Sequence, residues 1–128
     1  MKNYIGNIEK ETEENTNFRK VLFTGENEQL VVMSLEPREN IGMEVHPDVD
    51  QFIRIEEGHA KAILDGEEHD LPEDFAVVIG AGTEHDIVNV SDAESLKLYT
   101  VYSPPEHPEG TIQKDKAEAD AYEEKHHH

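Results

Sequence analysis

Short clusters of hydrophobic residues, separated by polar turns, run through most of this chain. Residues 18–24 and 30–35 have the composition typical of β-strands, and Gly25-Glu26-Asn27-Glu28 lies between them. A short polar segment that contains glycine is typical of a hairpin loop between antiparallel strands. The first third of the chain is therefore predicted to contain a β-hairpin.

Six further segments have the length and composition of strands: residues 43–46, 51–55, 60–64, 75–79, 83–90 and 96–102. Asp65-Gly66 follows the third of them, and this dipeptide is a specific signal for a tight hairpin turn. Short strands at intervals of roughly 8–12 residues, with almost no helical periodicity, indicate a sandwich or a barrel. We therefore predict an all-β fold.

The two ends of the chain differ from the predicted barrel, which spans residues 18–112. Residues 1–17 are polar with few hydrophobic side chains and are expected to form a short N-terminal arm. Residues 113–128 form a polar tail, in which Ala117 and Ala121, four positions apart, favour a peripheral helix over residues 113–124. His126, His127 and His128 are either native or the remnant of a purification tag, and we exclude them from the site.

Composition narrows the possible functions. With 128 residues, the chain has room for one domain, and its 11 basic and 30 acidic residues give a net charge of −19. Such a chain is repelled by nucleic acid and by anionic membrane surfaces, so neither is expected as a partner. There is no cysteine, no apolar run of membrane-spanning length and no secretory signal, and we expect a cytoplasmic protein.

Four polar residues in the predicted strands have the chemistry of metal ligands. Glu44, His46 and Gln51 lie within one short segment, and His85 lies in a later strand. Side chains two positions apart on a strand point to the same side, so Glu44 and His46 reach one face together. Two imidazoles, a carboxylate and an amide oxygen suit a divalent transition metal such as iron, manganese, nickel, cobalt or zinc. The competing interpretation is a metal-free barrel in which these groups hydrogen-bond one another.

Two further residues are candidates for contact with a substrate. Asn89 lies four positions after His85 and is expected to point the same way, although a structural hydrogen bond at the strand end explains it equally well. Tyr99 and Tyr102 are three positions apart, so at most one of them faces the interior. We take Tyr99 as the candidate, with an outward position in an interface as the alternative.

These motifs, from about residue 17 to residue 121, resemble the small single-domain cupins, particularly a bacterial group described as similar to mannose-6-phosphate isomerase. In the first cupin motif, Glu44 stands at the first histidine position, His46 at the second, Gln51 at the glutamate and Gly58 at the closing glycine. The second motif resembles residues 80–89, with His85 at its histidine. The resemblance implies a single cupin-type β-barrel (a double-stranded β-helix or jelly roll), a bound divalent metal and a homodimer formed through sheet edges or the arm.

The reaction does not follow from this resemblance, because cupins host very different activities. One hypothesis is a metal-dependent enzyme, such as an isomerase, that acts on a small sugar-like or anionic molecule rich in oxygen. A second is a non-catalytic sensor or carrier that binds a small molecule, and a third is a structural dimer with a degenerate site. The absence of an obvious general acid or base beyond the proposed ligands keeps the second hypothesis open.

Overall fold

The computed structural model describes residues 2–126. The elements are α1 (Ile8–Glu14), β1 (Arg19–Thr24), β2 (Gln29–Leu35), β3 (Glu44–Val45), β4 (Asp50–Glu57), β5 (His59–Leu64), β6 (Glu67–Pro72), β7 (Ala76–Ile79), β8 (Glu84–Asn89), β9 (Leu96–Ser103), β10 (Ile112–Gln113) and α2 (Lys116–His126). Met1 and two of the three terminal histidines, His127 and His128, lie outside the described residues.

Two antiparallel sheets form the barrel. The larger sheet has six strands in the order β10-β1-β2-β9-β4-β7, and the smaller has four in the order β3-β8-β5-β6. The Greek-key connections of such folds place strands that are distant in sequence beside one another. This arrangement brings β3 next to β8, and with them two of the predicted ligand segments. The predicted all-β barrel is confirmed.

The core lies between the sheets and follows the two-residue alternation of the strands. On β9, Leu96, Leu98, Thr100 and Tyr102 are buried, while the residues between them are half-buried on the other face. The same alternation buries Gln51, Ile53 and Ile55 on β4. Toward one end of the barrel the buried side chains are therefore polar. Gln51 precedes the buried isoleucines of β4, and Thr100 and Tyr102 follow the buried leucines of the antiparallel strand β9.

Both predicted hairpins are present. β1 pairs with β2 across a turn in which the Gly25 amide donates to the Glu28 carbonyl at 2.8 Å. β5 pairs with β6 across Asp65 and Gly66, whose φ angles of 49° and 85° match the turn that an Asp-Gly dipeptide favours. β6 and β10 were not among the predicted strands. Leu71 is the one buried residue of β6, and β10 is two residues long, so neither has a clear hydrophobic pattern.

The two helices lie within the polar ends of the chain. α1 occupies the predicted arm, and the side chain of Asn7 caps it by accepting a hydrogen bond from the Lys10 amide at 3.1 Å. α2 confirms the predicted C-terminal helix, but its buried residue is Ala119, whereas Ala117 and Ala121 are exposed. In residues 2–126, neither helix has the length and apolarity needed to cross a membrane.

We predict that Gly58→Ala destabilises the barrel more than Gly66→Ala. Both glycines have positive φ angles, 99° and 85°. A Cβ at Gly58 would lie 3.0 Å from the Ser95 carbonyl oxygen, whereas a Cβ at Gly66 meets no atom within 4 Å. The expected loss of unfolding free energy is about 2–4 kcal/mol at Gly58 and about 1–2 kcal/mol at Gly66. Urea denaturation of both variants measures this difference, and equal losses would contradict the steric explanation.

Candidate metal centre

Strand pairing places Glu44 directly opposite His85. The register of β3 and β8 pairs these two residues across neighbouring antiparallel strands. His46, two positions after Glu44, returns to the same side, where its Nε2 lies 3.1 Å from Oε2 of Glu44. The rings of His46 and His85 have centroids 5.2 Å apart. Three of the four candidate ligands therefore gather on one inner surface of the barrel.

Backbone contacts hold the two histidines in position. The His46 carbonyl accepts a hydrogen bond from the Gly82 amide at 2.9 Å, which ties the first motif to the second. Nδ1 of His85 lies 2.9 Å from the Thr83 carbonyl oxygen, and this oxygen can only accept, so Nδ1 carries the proton. The Nε2 atom of neutral His85 then has a free lone pair. Metal-binding histidines commonly have such a partner on the other ring nitrogen.

Gln51 approaches the same region from β4. It is 3% exposed and stands opposite Tyr102 in the pairing of β4 with β9. The Tyr102 ring in turn lies 6.1 Å from the His46 ring, measured between centroids. The side-chain nitrogen of Gln51 donates to the Thr100 hydroxyl at 3.0 Å, whereas its oxygen is buried and has no hydrogen-bond partner. A buried acceptor without a partner is costly, and a cation would satisfy it.

Glu44 and His46 form a coupled pair at the partly open side of the centre. Hydrogen bonding to Glu44 raises the pKa of His46, against the opposing effect of burial. Burial by itself would raise the pKa of Glu44, but the hydrogen bond to His46 and the charges of His46 and Arg19 outweigh it and lower the pKa below its usual range. The hydrogen bond between the two side chains thus favours the charged form of His46 and the charged form of Glu44.

Comparison with known proteins identifies the family. A family model described as Cupin domain matches residues 31–102. The chain belongs to the cupin family. Cupins often bind a metal ion, and their barrel is compatible with small-molecule binding.

Several relatives cover most of this cupin. Protein L612 of Acanthamoeba polyphaga mimivirus is 48% identical over 112 residues, which cover 85% of this chain and 70% of that protein. YrkC of Bacillus subtilis (strain 168) is 41% identical over 129 residues, with 96% and 69% covered. The crystal structure of BH2720 from Bacillus halodurans has a TM-score of 0.91 at 40% identity and covers 94% of this chain and 95% of that chain. These names state no activity.

The geometry of this cupin is open around the candidate ligands. Within residues 2–126, Glu44, His46 and His85 do not bring three ligand atoms within 4.8 Å of one another. The group that meets this distance is Glu9, Glu13 and Glu56, outside the barrel between α1 and β4. The donor types at the barrel centre fit a transition metal, and the unpartnered oxygen of Gln51 supports the fit. Glu44 and His46 already lie 3.1 Å apart, so closing the ligand set requires a side-chain movement that brings His85 toward them.

The two predicted substrate contacts lie elsewhere. Asn89 is 1% exposed, and its amide nitrogen donates to the carbonyl oxygens of Leu35, Glu36 and Glu94. These contacts match the alternative interpretation of Asn89, a structural hydrogen bond at the end of the strand. Tyr99 lies on the outer face of β9, where its ring packs 6.1 Å from that of Phe52. The structure corrects the choice between the two tyrosines, because the alternation of β9 turns Tyr102 inward and Tyr99 outward.

Four residues beside the centre were missed as site residues. Arg19 and Tyr102 are 4% and 3% exposed on the inner faces of β1 and β9. Glu106 Oε2 lies 3.5 Å from Nδ1 of His46, and the His107 ring packs edge-on against Tyr102 at 5.1 Å. The alternation with buried Val21 would have turned Arg19 inward. No pattern in the sequence places the loop of Glu106 and His107 over the barrel.

Buried Gln29 holds that loop in place. Its side-chain oxygen accepts hydrogen bonds from the amides of Glu106 and His107, at 3.1 and 2.9 Å, and its nitrogen donates to the His107 carbonyl at 2.7 Å. The 78-residue separation between Gln29 and His107 makes this contact entirely tertiary. Burial, together with the charge of Arg19, lowers the pKa of His107 to about 3.

We predict that His107 reduces stability in mild acid. Unfolded His107 binds a proton near its usual pKa of 6.5, whereas folded His107 stays neutral until about 3. The free energy of unfolding is therefore unaffected by this titration above pH 6.5 and decreases as the pH falls toward 3, by about 2 kcal/mol at pH 5. Urea unfolding of wild type and His107→Asn at pH 7 and pH 5 measures it. His69→Asn, at an exposed position, is the control, and an unchanged acid loss in His107→Asn would contradict the prediction.

Proposed function

We propose that this cupin binds one divalent transition metal through Glu44, His46, Gln51 and His85, and that it is a metal-dependent enzyme acting on a small oxygen-rich molecule. The observation that carries the proposal is the buried side-chain oxygen of Gln51, which has no hydrogen-bond partner, in a residue that stands opposite Tyr102, whose ring neighbours that of His46. A purely structural glutamine would be expected to use both ends of its amide. Here the nitrogen end is used and the oxygen end is free.

The ligand types restrict the metal and its charge. Two neutral imidazoles, one amide and one carboxylate carry a formal charge of −1, so a divalent ion leaves the centre with a charge of about +1. This set suits iron, manganese, nickel, cobalt or zinc. When bound, such a metal would act as a Lewis acid that polarises the oxygen atoms of a substrate. A residual positive charge favours a sugar-like or anionic molecule.

Groups of the protein itself are positioned for proton transfer. The Glu106 carboxylate lies at the open side of the centre, with its side chain 33% exposed and its Oε2 3.5 Å from His46. Tyr102 lies deeper, and burial raises the pKa of its hydroxyl, so that it stays protonated at neutral pH. Glu106 is thus placed to exchange a proton with a substrate at its carboxylate oxygens, and Tyr102 to donate a hydrogen bond.

A non-catalytic sensor or carrier is the second candidate. The same barrel binds small molecules in proteins with and without catalytic activity, because function depends on the site and not on the fold. Glu106 favours the enzyme, since a binding protein does not need a carboxylate that can transfer protons. The assignment to the cupin group similar to mannose-6-phosphate isomerase stays a prediction. The cytoplasmic location also stays a prediction.

A homodimer also stays a prediction, and the outer face of the larger sheet supports it. Cross-strand pairing aligns Phe23, Leu30, Val101, Phe52 and Val78 in one row over five strands. Val78 at the end of this row is 72% exposed. Apolar residues that continue across a sheet are typical of a surface that another chain covers.

We predict that His85→Ala strongly weakens metal binding at this centre. Protein purified without a nickel column and without terminal histidines should bind about one equivalent of metal. Loss of a ligand should weaken binding by about 100-fold or more, because the loss of a supporting partner already costs 10–100-fold. Glu13→Gln is the matched control, since it removes a carboxylate of the outer acidic group. Elemental analysis and cobalt titration measure the result, and equal metal in wild type and His85→Ala would refute the assignment.

We predict that Glu106→Gln reduces turnover without loss of metal. A panel of aldoses, ketoses and oxo acids would be assayed with metal-loaded protein, and kcat should fall by about 100-fold or more because general acid–base groups contribute that much. Glu109→Gln removes an exposed carboxylate of the same loop and should change little. Glu44→Ala should lose both metal and turnover. Binding of a panel member without conversion by wild type would favour the sensor.

A further inference from the structure

Arg19 is a buried cation without an acidic partner. It is 4% exposed, and no carboxylate oxygen of residues 2–126 lies within the 4.0 Å of its nitrogens that defines an ion pair. The other two arginines, Arg38 and Arg54, pair with Asp92 and Asp74 at 3.4 and 3.2 Å. The chain has 30 acidic residues, so an unpaired arginine in its interior is not explained by a shortage of carboxylates.

The contacts of Arg19 are with neutral groups. Its Nη1 donates to the side-chain oxygen of Gln113 on β10 at 2.7 Å, and its guanidinium lies 5.3 Å from the centre of the Phe18 ring and also hydrogen-bonds the Tyr102 hydroxyl. Its Nε is buried and has no hydrogen-bond partner. A buried charge that is neither paired nor fully hydrogen-bonded destabilises the folded state. Folding alone does not account for an arginine at this position.

Arg19 and the candidate metal centre lie in the same polar part of the barrel interior, called here the chamber, which includes Glu44, His46, Tyr102 and His107. It precedes Val21 on the inner face of β1, and its charge acts on Glu44, Tyr102 and His107. The Tyr102 ring connects this region to His46, since their centroids are 6.1 Å apart. Glu44 and Glu106 lie at the solvent-facing side of this region, with side chains 34% and 33% exposed.

We infer that Arg19 is an anion-binding residue beside the metal centre, whose free Nε–H receives a carboxylate oxygen of the ligand, and that the substrate is a small hydroxy- or oxo-carboxylic acid. This inference rests on the proposed metal function, because the metal would take the hydroxyl or oxo oxygen while Arg19 takes the carboxylate. It adds a residue and a substrate class that the ligand set alone does not supply.

The geometry favours a carboxylate over a phosphate. Gln113 occupies Nη1 and the Tyr102 hydroxyl also hydrogen-bonds the guanidinium, so Nε is the donor that remains for a carboxylate oxygen. A phosphate dianion would bring a second negative charge toward Glu44 and Glu106, and Arg19 would be the one buried arginine or lysine of residues 2–126 to offset it. The net charge of −19 also repels anions at long range, so a local cation is needed to hold one.

Calorimetry with glycolate, and with glycolamide as its neutral analogue, tests the inference on cobalt-loaded protein. Wild type should bind glycolate at least about 10-fold more tightly than glycolamide, and Arg19→Met should lose about 10–100-fold in glycolate affinity, the range for a hydrogen bond to a charged group. Glycolamide affinity should stay the same, and cobalt should bind at least as tightly, because the variant removes a positive charge near Glu44. Arg38→Met removes the same charge from an exposed, paired position and should bind glycolate like wild type.

Unchanged glycolate affinity in Arg19→Met would overturn the inference. If the melting temperature also fell, Arg19 would simply support β10 through Gln113. If Arg19→Met does not fold, Arg19→Lys replaces it, since lysine keeps the charge but lacks the Nε–H donor of the guanidinium. About 10-fold weaker glycolate binding by Arg19→Lys would support the inference, and wild-type affinity would overturn it.

Metal-free protein separates this inference from the proposed function. If wild type fails to bind cobalt, the metal centre is wrong, and glycolate is then titrated into metal-free wild type and Arg19→Met. Binding that depends on Arg19 would keep the anion site without the metal. If metal-free wild type does not bind glycolate either, both the metal centre and the anion site are wrong.

Discussion

The antiparallel pairing of β3 with β8 is the constraint on which the candidate site depends. β3 has only two residues, yet its register sets Glu44 opposite His85 and carries His46 to the same side. The loop before β3 is anchored by Asp86, the neighbour of His85, whose carboxylate accepts hydrogen bonds from the Asn40 side chain and the Gly42 amide at 2.8 and 2.9 Å. A register shift of one residue would turn these side chains to the opposite face.

The interior of the barrel changes from apolar to polar along its strands, and two buried polar atoms in the polar part have no hydrogen-bond partner. Gln51 offers an acceptor without a donor, and Arg19 offers a donor without an acceptor. Each is expensive in a folded protein, and these two atoms are the observations behind the proposed cation and the proposed anion. The Glu44–His46 pair shows how the protein balances charge internally, since their hydrogen bond favours the charged form of each side chain.

Local sequence patterns anticipated most of the strands and the sides to which their residues point. The eight strands that were expected are present, because alternation and turn residues such as Asp65 and Gly66 act locally. The pattern was least informative where burial is slight, as in β6 and β10. It located α2 but not its buried face, since Ala119, and not Ala117 or Ala121, meets the barrel.

The sequence alone determined two properties of the site. It gave the ligand chemistry of Glu44, His46, Gln51 and His85, because the donor atoms are set by residue type. It also determined that Tyr99 and Tyr102 point to opposite faces, because side chains alternate along a strand. Which tyrosine faces inward is a matter of how β9 packs between β2 and β4. The same holds for the loop that Gln29 places over the chamber and for the unpaired state of Arg19. These features arise from contacts between residues far apart in the chain, whose energies depend on burial and distance that a linear pattern does not contain.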